Sequence, residues 1–215
     1  MNKLPFPIPL SNVWQPSRTP SNSLLIVLHG LGDSAEGFVS LQEELGIDSL
    51  NVLLLNGPTP YYTGFSWYDL PPNQLPGILS SRRLLTQVLA ETEKAGYSSG
   101  QTFLLGFSQG CLMTLEFGAR YSRPLAGYIG ISGYCYDVDA ILREMNPAVN
   151  SGNWLITHGT EDDVLPVETT RSQIHSLIKA GFKIDYREYP KPHTIDPYRE
   201  LPDIRDWIRA RQPSN

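Results

Sequence analysis

Short apolar runs alternate along the chain with segments whose apolar residues recur at helical spacing. The runs end at glycine, asparagine or proline, and several contain β-branched residues, which favours strands. Buried strands are predicted at Ser23–His29, Asn51–Leu55, Thr102–Gly106, Leu125–Ile131 and Asn153–His158. Phe182–Tyr189 alternates apolar and polar positions and predicts a further strand.

Helical spacing predicts helices between these strands. They are expected at Leu79–Ala95, Gln109–Tyr121, Val167–Ala180 and around Asp139–Met145. A last helix carries Leu201, Ile204 and Ile208 on one face. Pro202 is expected in the first turn of that helix, because a proline in a helix interior would break it.

The alternation of strands and helices predicts an α/β fold with a mostly parallel central sheet and helices on both faces. A length of 215 residues suits a single domain, residues 1–215, with its core at about residues 22 to 210. The segment Gly57–Leu79 is rich in proline, glycine and aromatic residues and has no clear period. It is predicted to be a long functional loop.

Net charge, hydropathy and cysteine content disfavour several classes of protein function. A net charge of −5 gives no support to nucleic-acid binding. No apolar run approaches the roughly 18 residues that a membrane-spanning helix needs. The two cysteines form neither a disulfide framework nor a metal-type pair, and the N-terminal residues lack the apolar stretch of a signal peptide. We therefore expect a cytoplasmic protein without an integral membrane segment or a metal.

The sequence Gly-Phe-Ser-Gln-Gly joins a predicted strand to a predicted helix. This arrangement, with Ser108 between Gly106 and Gly110, is typical of a nucleophile elbow. The turn is so tight that side chains at the two glycines would collide with the neighbouring strand and helix. The alternative is a β–α turn with an incidental serine; the strand before it and the helix after it favour a catalytic Ser108.

A serine nucleophile needs a base, and four histidines are candidates. His29 and His158 each end a strand before a glycine and are expected to shape turns. His175 lies within a predicted helix. His193 lies in the loop after the last strand, where a base could reach the serine, so it is favoured over the alternative of a solvent-exposed loop histidine.

The sequence HGTEDDVLP contains the candidates for the carboxylate that would orient the base. Asp162 and Asp163 are the candidates, and Glu161 is a weaker one; the alternative is a solvated turn. Serine, acid and histidine then follow the chain order of an α/β-hydrolase.

Backbone amides are also needed to bind the negative charge of an intermediate. The glycine-rich sequence HGLGD brings the amide of Leu31 near the serine, and the amide of Gln109 is the second donor. Each donor stabilises a transition state by roughly 3 kcal/mol. A phosphate-binding loop is disfavoured, because neither GxGxxG nor the Walker pattern is present.

Four features together resemble the acyl-protein thioesterase and carboxylesterase family of small α/β-hydrolases. They are HGLGD, GFSQG, HGTEDDVLP and the late His193, and FSWYDL is also similar. The resemblance covers about residues 22 to 210. It implies that Ser108 is the nucleophile, His193 the base and Asp162 the acid, with Asp163 a variable position.

The resemblance also implies that the amides of Leu31 and Gln109 form the oxyanion hole. Two departures stand out: Pro192 precedes the histidine, where the family usually has glycine, and the segment after Trp67 is short and rich in proline. The aromatic candidates to line the acyl site are Tyr61, Tyr62, Phe65, Trp67 and Tyr68, and Trp67 is the best of them. The shortened segment predicts a preference for short to medium acyl chains.

These features predict a serine hydrolase that cleaves small-molecule carboxylic esters or thioesters without a metal or cofactor. One alternative is a lysophospholipase or a protein-depalmitoylating thioesterase. An alternative of another class is a non-catalytic receptor that uses the hydrolase pocket. Whether the chain forms a homodimer is left open.

Overall fold

In a computed structural model, the chain forms a central sheet covered by helices. The structure describes residues 4–212, and of residues 150 and 151 the backbone alone; the first and last three residues of the predicted domain lie outside the described residues. The strands are β1 (Asn12–Gln15), β2 (Leu24–Leu28), β3 (Asn51–Leu55), β4 (Thr59–Tyr61), β5 (Gly64–Ser66), β6 (Thr102–Phe107), β7 (Gly127–Ile131), β8 (Trp154–Gly159) and β9 (Ile184–Tyr189). The helices are α1 (Leu41–Leu45), α2 (Gln74–Lys94), α3 (Gln109–Gly118), α4 (Val138–Glu144), α5 (Val167–Lys179) and α6 (Glu200–Arg209).

Seven strands form the main sheet in the order β1-β3-β2-β6-β7-β8-β9. Among residues 4–212, β1 pairs antiparallel with β3, and the other pairs in this sheet are parallel. β4 and β5 form a separate antiparallel hairpin. The predicted mostly parallel sheet is therefore confirmed.

The strands are apolar on both faces because helices cover both faces. In β2, Leu24, Ile26 and Leu28 belong to the core under α2, α3 and α5, whereas Leu25 and Val27 belong to the core under α1 and α6. Among residues 4–212, no helix is both long and apolar enough to cross a bilayer.

Two elements of the structure differ from the sequence predictions. The strand β1 was not predicted, although Val13 and Trp14 are buried in it. α2 begins at Gln74 rather than at Leu79, and the expected loop before it contains the β4–β5 hairpin. Pro76 falls in the first turn of α2, where a missing amide hydrogen costs no helical hydrogen bond.

The parallel strands place the loops that follow them at one edge of the sheet. β6 ends just before Ser108, β8 precedes the loop with Asp162, and β9 precedes the loop with His193. Ligands bind at this carboxyl edge in open α/β sheets. The fold thus brings the three predicted site loops to the same place.

Candidate active site

Ser108 lies at the sharp turn between β6 and α3. Its φ of 55° and ψ of −112° lie in a region that residues with side chains rarely adopt. A Cβ atom at Gly106 would lie 2.0 Å from the Gly110 carbonyl oxygen, and one at Gly110 would lie 2.1 Å from the Leu28 carbonyl oxygen. The spacing Gly-x-Ser-x-Gly therefore follows from the close packing of strand and helix around a half-buried serine.

Ser108, His193 and Asp162 form one chain of hydrogen bonds. His193 Nε2 lies 3.0 Å from Ser108 Oγ, and His193 Nδ1 lies 2.7 Å from Asp162 Oδ2. Since a carboxylate only accepts hydrogen bonds, Nδ1 donates to it, and Nε2 of the neutral ring is then free to accept the serine hydroxyl. In this arrangement the histidine can take a proton from the serine.

The two adjacent aspartates have different surroundings. The side chain of Asp162 is fully buried, whereas Asp163 is exposed. Besides His193, the Asp162 carboxylate accepts hydrogen bonds from the amides of Val164 and Leu165 at 3.1 and 2.8 Å. Burial raises the pKa of Asp162, but the hydrogen bonds from Leu165 and His193 outweigh burial, so its pKa lies below the ordinary value.

A second histidine lies against the same carboxylate. His158 Nε2 is 2.8 Å from the Leu165 carbonyl oxygen and 3.4 Å from Asp162 Oδ2, so Nε2 carries the proton. Nδ1 is buried and has no hydrogen-bond partner among residues 4–212. Burial lowers the pKa of His158, which keeps the ring neutral near pH 7. His158 was predicted to shape a turn, and its contact with the acid loop was missed.

The sequence HGLGD passes directly beside the serine. A Cβ atom at Gly30 would lie 3.3 Å from Ser108 Cβ. The hairpin holds this loop, because the amide of Gly32 donates to the Phe65 carbonyl oxygen and the amide of Phe65 donates to that of Asp33, both at 2.9 Å. Leu31, the predicted oxyanion donor, lies within this loop and lines the cavity at the serine.

Gln109, the second predicted oxyanion donor, is the first residue of α3. The first amides of a helix have no acceptor within the helix and are available to a bound anion. Its side chain is fixed in place: Oε1 accepts from the amide of Trp67 at 3.0 Å, and Nε2 donates to the Tyr68 carbonyl oxygen at 2.9 Å. This fixed side chain holds the start of α3 in position.

Trp67 is not a wall of the cavity, which corrects the expectation that it contacts substrate. Its side chain is fully buried, and its Nε1 donates to the His29 carbonyl oxygen at 3.0 Å. The ring packs against the His29 ring with 5.5 Å between centroids. Tyr68, the next residue, lines the cavity instead.

A cavity of about 450 Å³ opens at Ser108, and we call it the serine cavity. Its walls come from six segments of the chain, and most of its apolar walls were not predicted from the sequence. Tyr68 was among the predicted aromatic candidates, and the lining residues outside the predicted site are Leu70, Pro71, Gln74, Phe107, Tyr134, Val164 and Leu165. One signal could have found Tyr134, because it lies just beyond the carboxyl end of a predicted parallel strand.

A second cavity of about 360 Å³ lies on the other side of the histidine, and we call it the histidine cavity. Asp33, Phe107 and His193 line both cavities. The histidine therefore stands between two spaces, each large enough for part of a small molecule.

The loop that carries His193 is anchored by a buried ion pair. Lys191 Nζ lies 2.8 Å from Glu200 Oε2 at the start of α6, and their side chains are 3% and 0% exposed. The same ammonium group donates to Ser132 Oγ at 3.1 Å and to the Thr194 carbonyl oxygen at 2.5 Å. Burial lowers the pKa of Lys191, and the Glu200 carboxylate opposes that shift.

The described residues form neither a reactive cysteine site nor a metal site. Cys111 follows the elbow, but burial raises the pKa of its thiol to about 12, so it is protonated near pH 7 and is a poor nucleophile. Within residues 4–212, no three His, Cys, Asp or Glu side chains are placed to hold a metal ion together.

The sequence matches known proteins over nearly its whole length. The profile of the phospholipase/carboxylesterase family matches residues 11–212. Acyl-protein thioesterase 1 of Yarrowia lipolytica is 28% identical over 93% of this chain and 96% of its own length. Carboxylesterase SOBER1 of Arabidopsis thaliana is 24% identical over 89% of this chain and 91% of its own length.

Solved structures also superpose on this chain over nearly its whole length. The crystal structure of esterase PE8 superposes with a TM-score of 0.84 at 25% identity, covering 94% of this chain and 99% of that one. The structure of Arabidopsis thaliana SOBER1 superposes with a TM-score of 0.82 at 24% identity, covering 90% and 100%, which supports the fold. The chain therefore belongs to the phospholipase/carboxylesterase family and is an ester hydrolase with an α/β-hydrolase fold.

Proposed function

We propose that this chain hydrolyses carboxylic esters, and thioesters, through an acyl-enzyme on Ser108. The observation that carries the proposal is the hydrogen-bond chain from Ser108 through His193 to Asp162, with distances of 3.0 and 2.7 Å. A nucleophile, a base and an orienting carboxylate in this geometry are the parts that serine hydrolases use. A non-catalytic receptor would have no use for all three, which argues against that alternative.

In the first half of the reaction, the Ser108 oxygen attacks the carbonyl carbon while its proton passes to His193 Nε2. The C–O or C–S bond to the leaving group then breaks, and the proton passes from Nε2 to the departing oxygen or sulfur. Asp162 holds the ring and stabilises its charged form. Water attacks the acyl-enzyme in the second half, with His193 again as the base, and frees the carboxylic acid.

The amides of Leu31 and Gln109 bind the oxyanion that forms in both halves. A Cβ atom at Gly30 would lie 3.3 Å from Ser108 Cβ, which supports the closeness of the first donor. The second donor is the first amide of α3, where the helix dipole favours a negative charge. The reaction as proposed needs no metal or cofactor.

The two cavities give the substrate its orientation. The serine cavity has mostly apolar walls and suits the acyl group. His193 returns the proton to the leaving group, so the leaving group belongs on the histidine side, where the histidine cavity opens. We propose short to medium acyl chains as the preferred substrates, because the segment after Trp67, which supplies Leu70 and Pro71 to the cavity wall, is short and rich in proline.

A second candidate is hydrolysis of long-chain acyl thioesters on proteins or of lysophospholipids. It is favoured by the relatives named acyl-protein thioesterase 1. A panel of p-nitrophenyl esters from acetate to palmitate, with one acyl-thioester, separates the candidates. A rise in kcat/KM out to palmitate under sub-micellar conditions would favour the long-chain candidate.

The nucleophile is tested with Ser108→Ala. We expect kcat to fall by roughly three to six orders of magnitude, because no acyl-enzyme can form. A fluorophosphonate should add one label, at Ser108, in the unchanged chain. Thermal unfolding of the variant should match that of the unchanged chain.

The matched control is Ser176→Ala, a serine on α5 outside the lining of the serine cavity. It should keep both activity and labelling. Near-normal activity in Ser108→Ala, or a label on another residue, would reject Ser108 as the nucleophile.

A further inference from the structure

A third cavity, of about 210 Å³, adjoins the serine cavity. Its lining is Tyr134, Leu165, Pro166, Thr169 and Thr170, and we call it the Tyr134 cavity. Tyr134 and Leu165 also line the serine cavity. These two side chains are therefore the partition between the two spaces.

The lining of the Tyr134 cavity suits an alkyl chain. It contains no charged side chain, and Pro166 has no amide hydrogen to donate. The hydroxyl of Thr170 donates to the Gly133 carbonyl oxygen at 2.7 Å. A polar headgroup would find few partners in this cavity, whereas methylene groups would lose contact with water.

The Tyr134 ring is held in its place at the partition. Its hydroxyl accepts a hydrogen bond from Gln74 Nε2 at 2.8 Å. Gln74 is itself buried in the first turn of α2. The Tyr68 side chain lies beside the Tyr134 hydroxyl on the same wall of the serine cavity. The ring is thus a fixed wall rather than a freely rotating side chain.

We propose that Tyr134 determines how long an acyl chain the enzyme accepts, and that the Tyr134 cavity receives the distal methylenes once the partition is opened. This inference rests on the proposed function, because it places the acyl group in the serine cavity. In the unchanged chain, methylenes that reach the Tyr134 ring have no apolar space to enter. They gain nothing from further length.

The test compares kcat/KM for p-nitrophenyl laurate and butyrate, below their micellar concentrations, in the unchanged chain and in Tyr134→Ala. Each methylene that becomes buried adds about fourfold. The laurate-to-butyrate ratio should therefore rise about tenfold or more in Tyr134→Ala. Taking a ratio within each variant removes any general loss of activity.

Three more variants show that the partition is responsible. Leu165→Ala opens its other half and should raise the ratio as well; the backbone bonds of Leu165 to Asp162 and His158 do not depend on its side chain. Tyr134→Phe keeps the ring but loses its bond to Gln74, and its ratio should stay well below that of Tyr134→Ala. Adding Thr169→Trp to Tyr134→Ala fills the Tyr134 cavity and should cancel the gain.

The outcomes separate this inference from the proposed function. If the unchanged chain cleaves no ester, the proposed function fails and the inference fails with it. If the unchanged chain cleaves butyrate but neither Tyr134→Ala nor Leu165→Ala raises the ratio, Tyr134 does not set the chain length. A ratio that stays high after Thr169→Trp is added would show that the methylenes lie elsewhere. If Tyr134→Ala does not fold, Leu165→Ala decides.

Discussion

At the scale of single residues, neighbouring positions in one loop differ in what they touch. Asp162 is buried and bonded to His193, while Asp163 faces solvent. Asp162→Asn removes the acceptor that fixes the histidine tautomer, and we expect kcat/KM to fall by about 10⁴. Asp163→Asn is the matched control and should keep most of the activity. The reverse order in a steady-state assay would move the acid to Asp163.

The pH dependence of the reaction follows from the same contacts. The pKa of Asp162 lies below its ordinary value of about 3.9, so this carboxylate is already ionised above that pH. Burial lowers the pKa values of His29 and His158, which are neutral near pH 7. The proposed mechanism requires one general base in its neutral form. We therefore expect log kcat/KM to rise with pH through a single one-proton step on the acid side.

Steady-state kinetics between about pH 4 and 9 measure this step. A slope of two protons on the acid side would show that a second group, such as His158, must also be neutral. His175→Gln, a change at an exposed histidine on α5, is the control and should leave the profile as it is.

At the scale of the elements, a buried ion pair ties the histidine loop to α6. Lys191→Met leaves the Glu200 carboxylate buried without its partner, and breaking such pairs costs about 3–5 kcal/mol. We expect the free energy of unfolding in urea to fall by that amount. The double variant Lys191→Met/Glu200→Gln removes both charges and should be more stable than Lys191→Met alone.

The matched control for this pair is the exposed pair Arg18–Asp48, with side chains 60% and 62% exposed. Arg18→Met should cost less than about 1 kcal/mol. If Lys191→Met is no more destabilising than Arg18→Met, the buried pair does not anchor the loop.

The elements that could be predicted are those with a strong local pattern. β2 is an uninterrupted apolar run, β3 and β6 are apolar after a polar first residue, and Gly-x-Ser-x-Gly marks the turn after β6. β1 escaped prediction because Val13 and Trp14 are its only buried residues and prolines flank it. The start of α2 was not predicted, because Pro76 and Gly77 are residues typical of loops. Gly77 is required by packing, since a Cβ atom there would lie 2.7 Å from Tyr68 Cα.

At the scale of the whole molecule, the candidate site joins residues that are far apart in sequence. Ser108 and His193 are 85 positions apart, and strand order brings them together. Chemical types and chain order predicted Ser108 and His193 and left Asp162 and Asp163 as candidates for the acid, and the resemblance to the family implied Asp162. They did not predict the cavity walls, because an apolar residue such as Leu165 has the same local pattern whether it faces a cavity or the core. Trp67 shows the opposite case: it lies in a loop that was predicted to be functional, yet its side chain is fully buried and does not line the cavity.

The stability of the whole fold should depend on pH because two histidines are buried in neutral form. His29 Nε2 accepts the amide hydrogen of Gly57 at 3.0 Å, and His158 donates to the Leu165 carbonyl oxygen. Burial lowers both pKa values below 6.5. Below about pH 6.5 the unfolded chain therefore takes up protons that the folded chain does not.

Stability is thus fully present above about pH 6.5 and is lost as the pH falls toward the folded pKa values. Each neutral histidine contributes a slope of up to about 1.4 kcal/mol per pH unit to the free energy of unfolding. His158→Gln replaces one of these histidines with a side chain that does not titrate. The free energy of unfolding of this variant should therefore fall less steeply as the pH is lowered, by up to about 1.4 kcal/mol per pH unit. Urea unfolding at several pH values between about 5 and 8 measures it. His175→Gln, at an exposed position, should keep the original slope. Equal slopes for the unchanged chain and His158→Gln would mean that His158 is not held neutral by the fold.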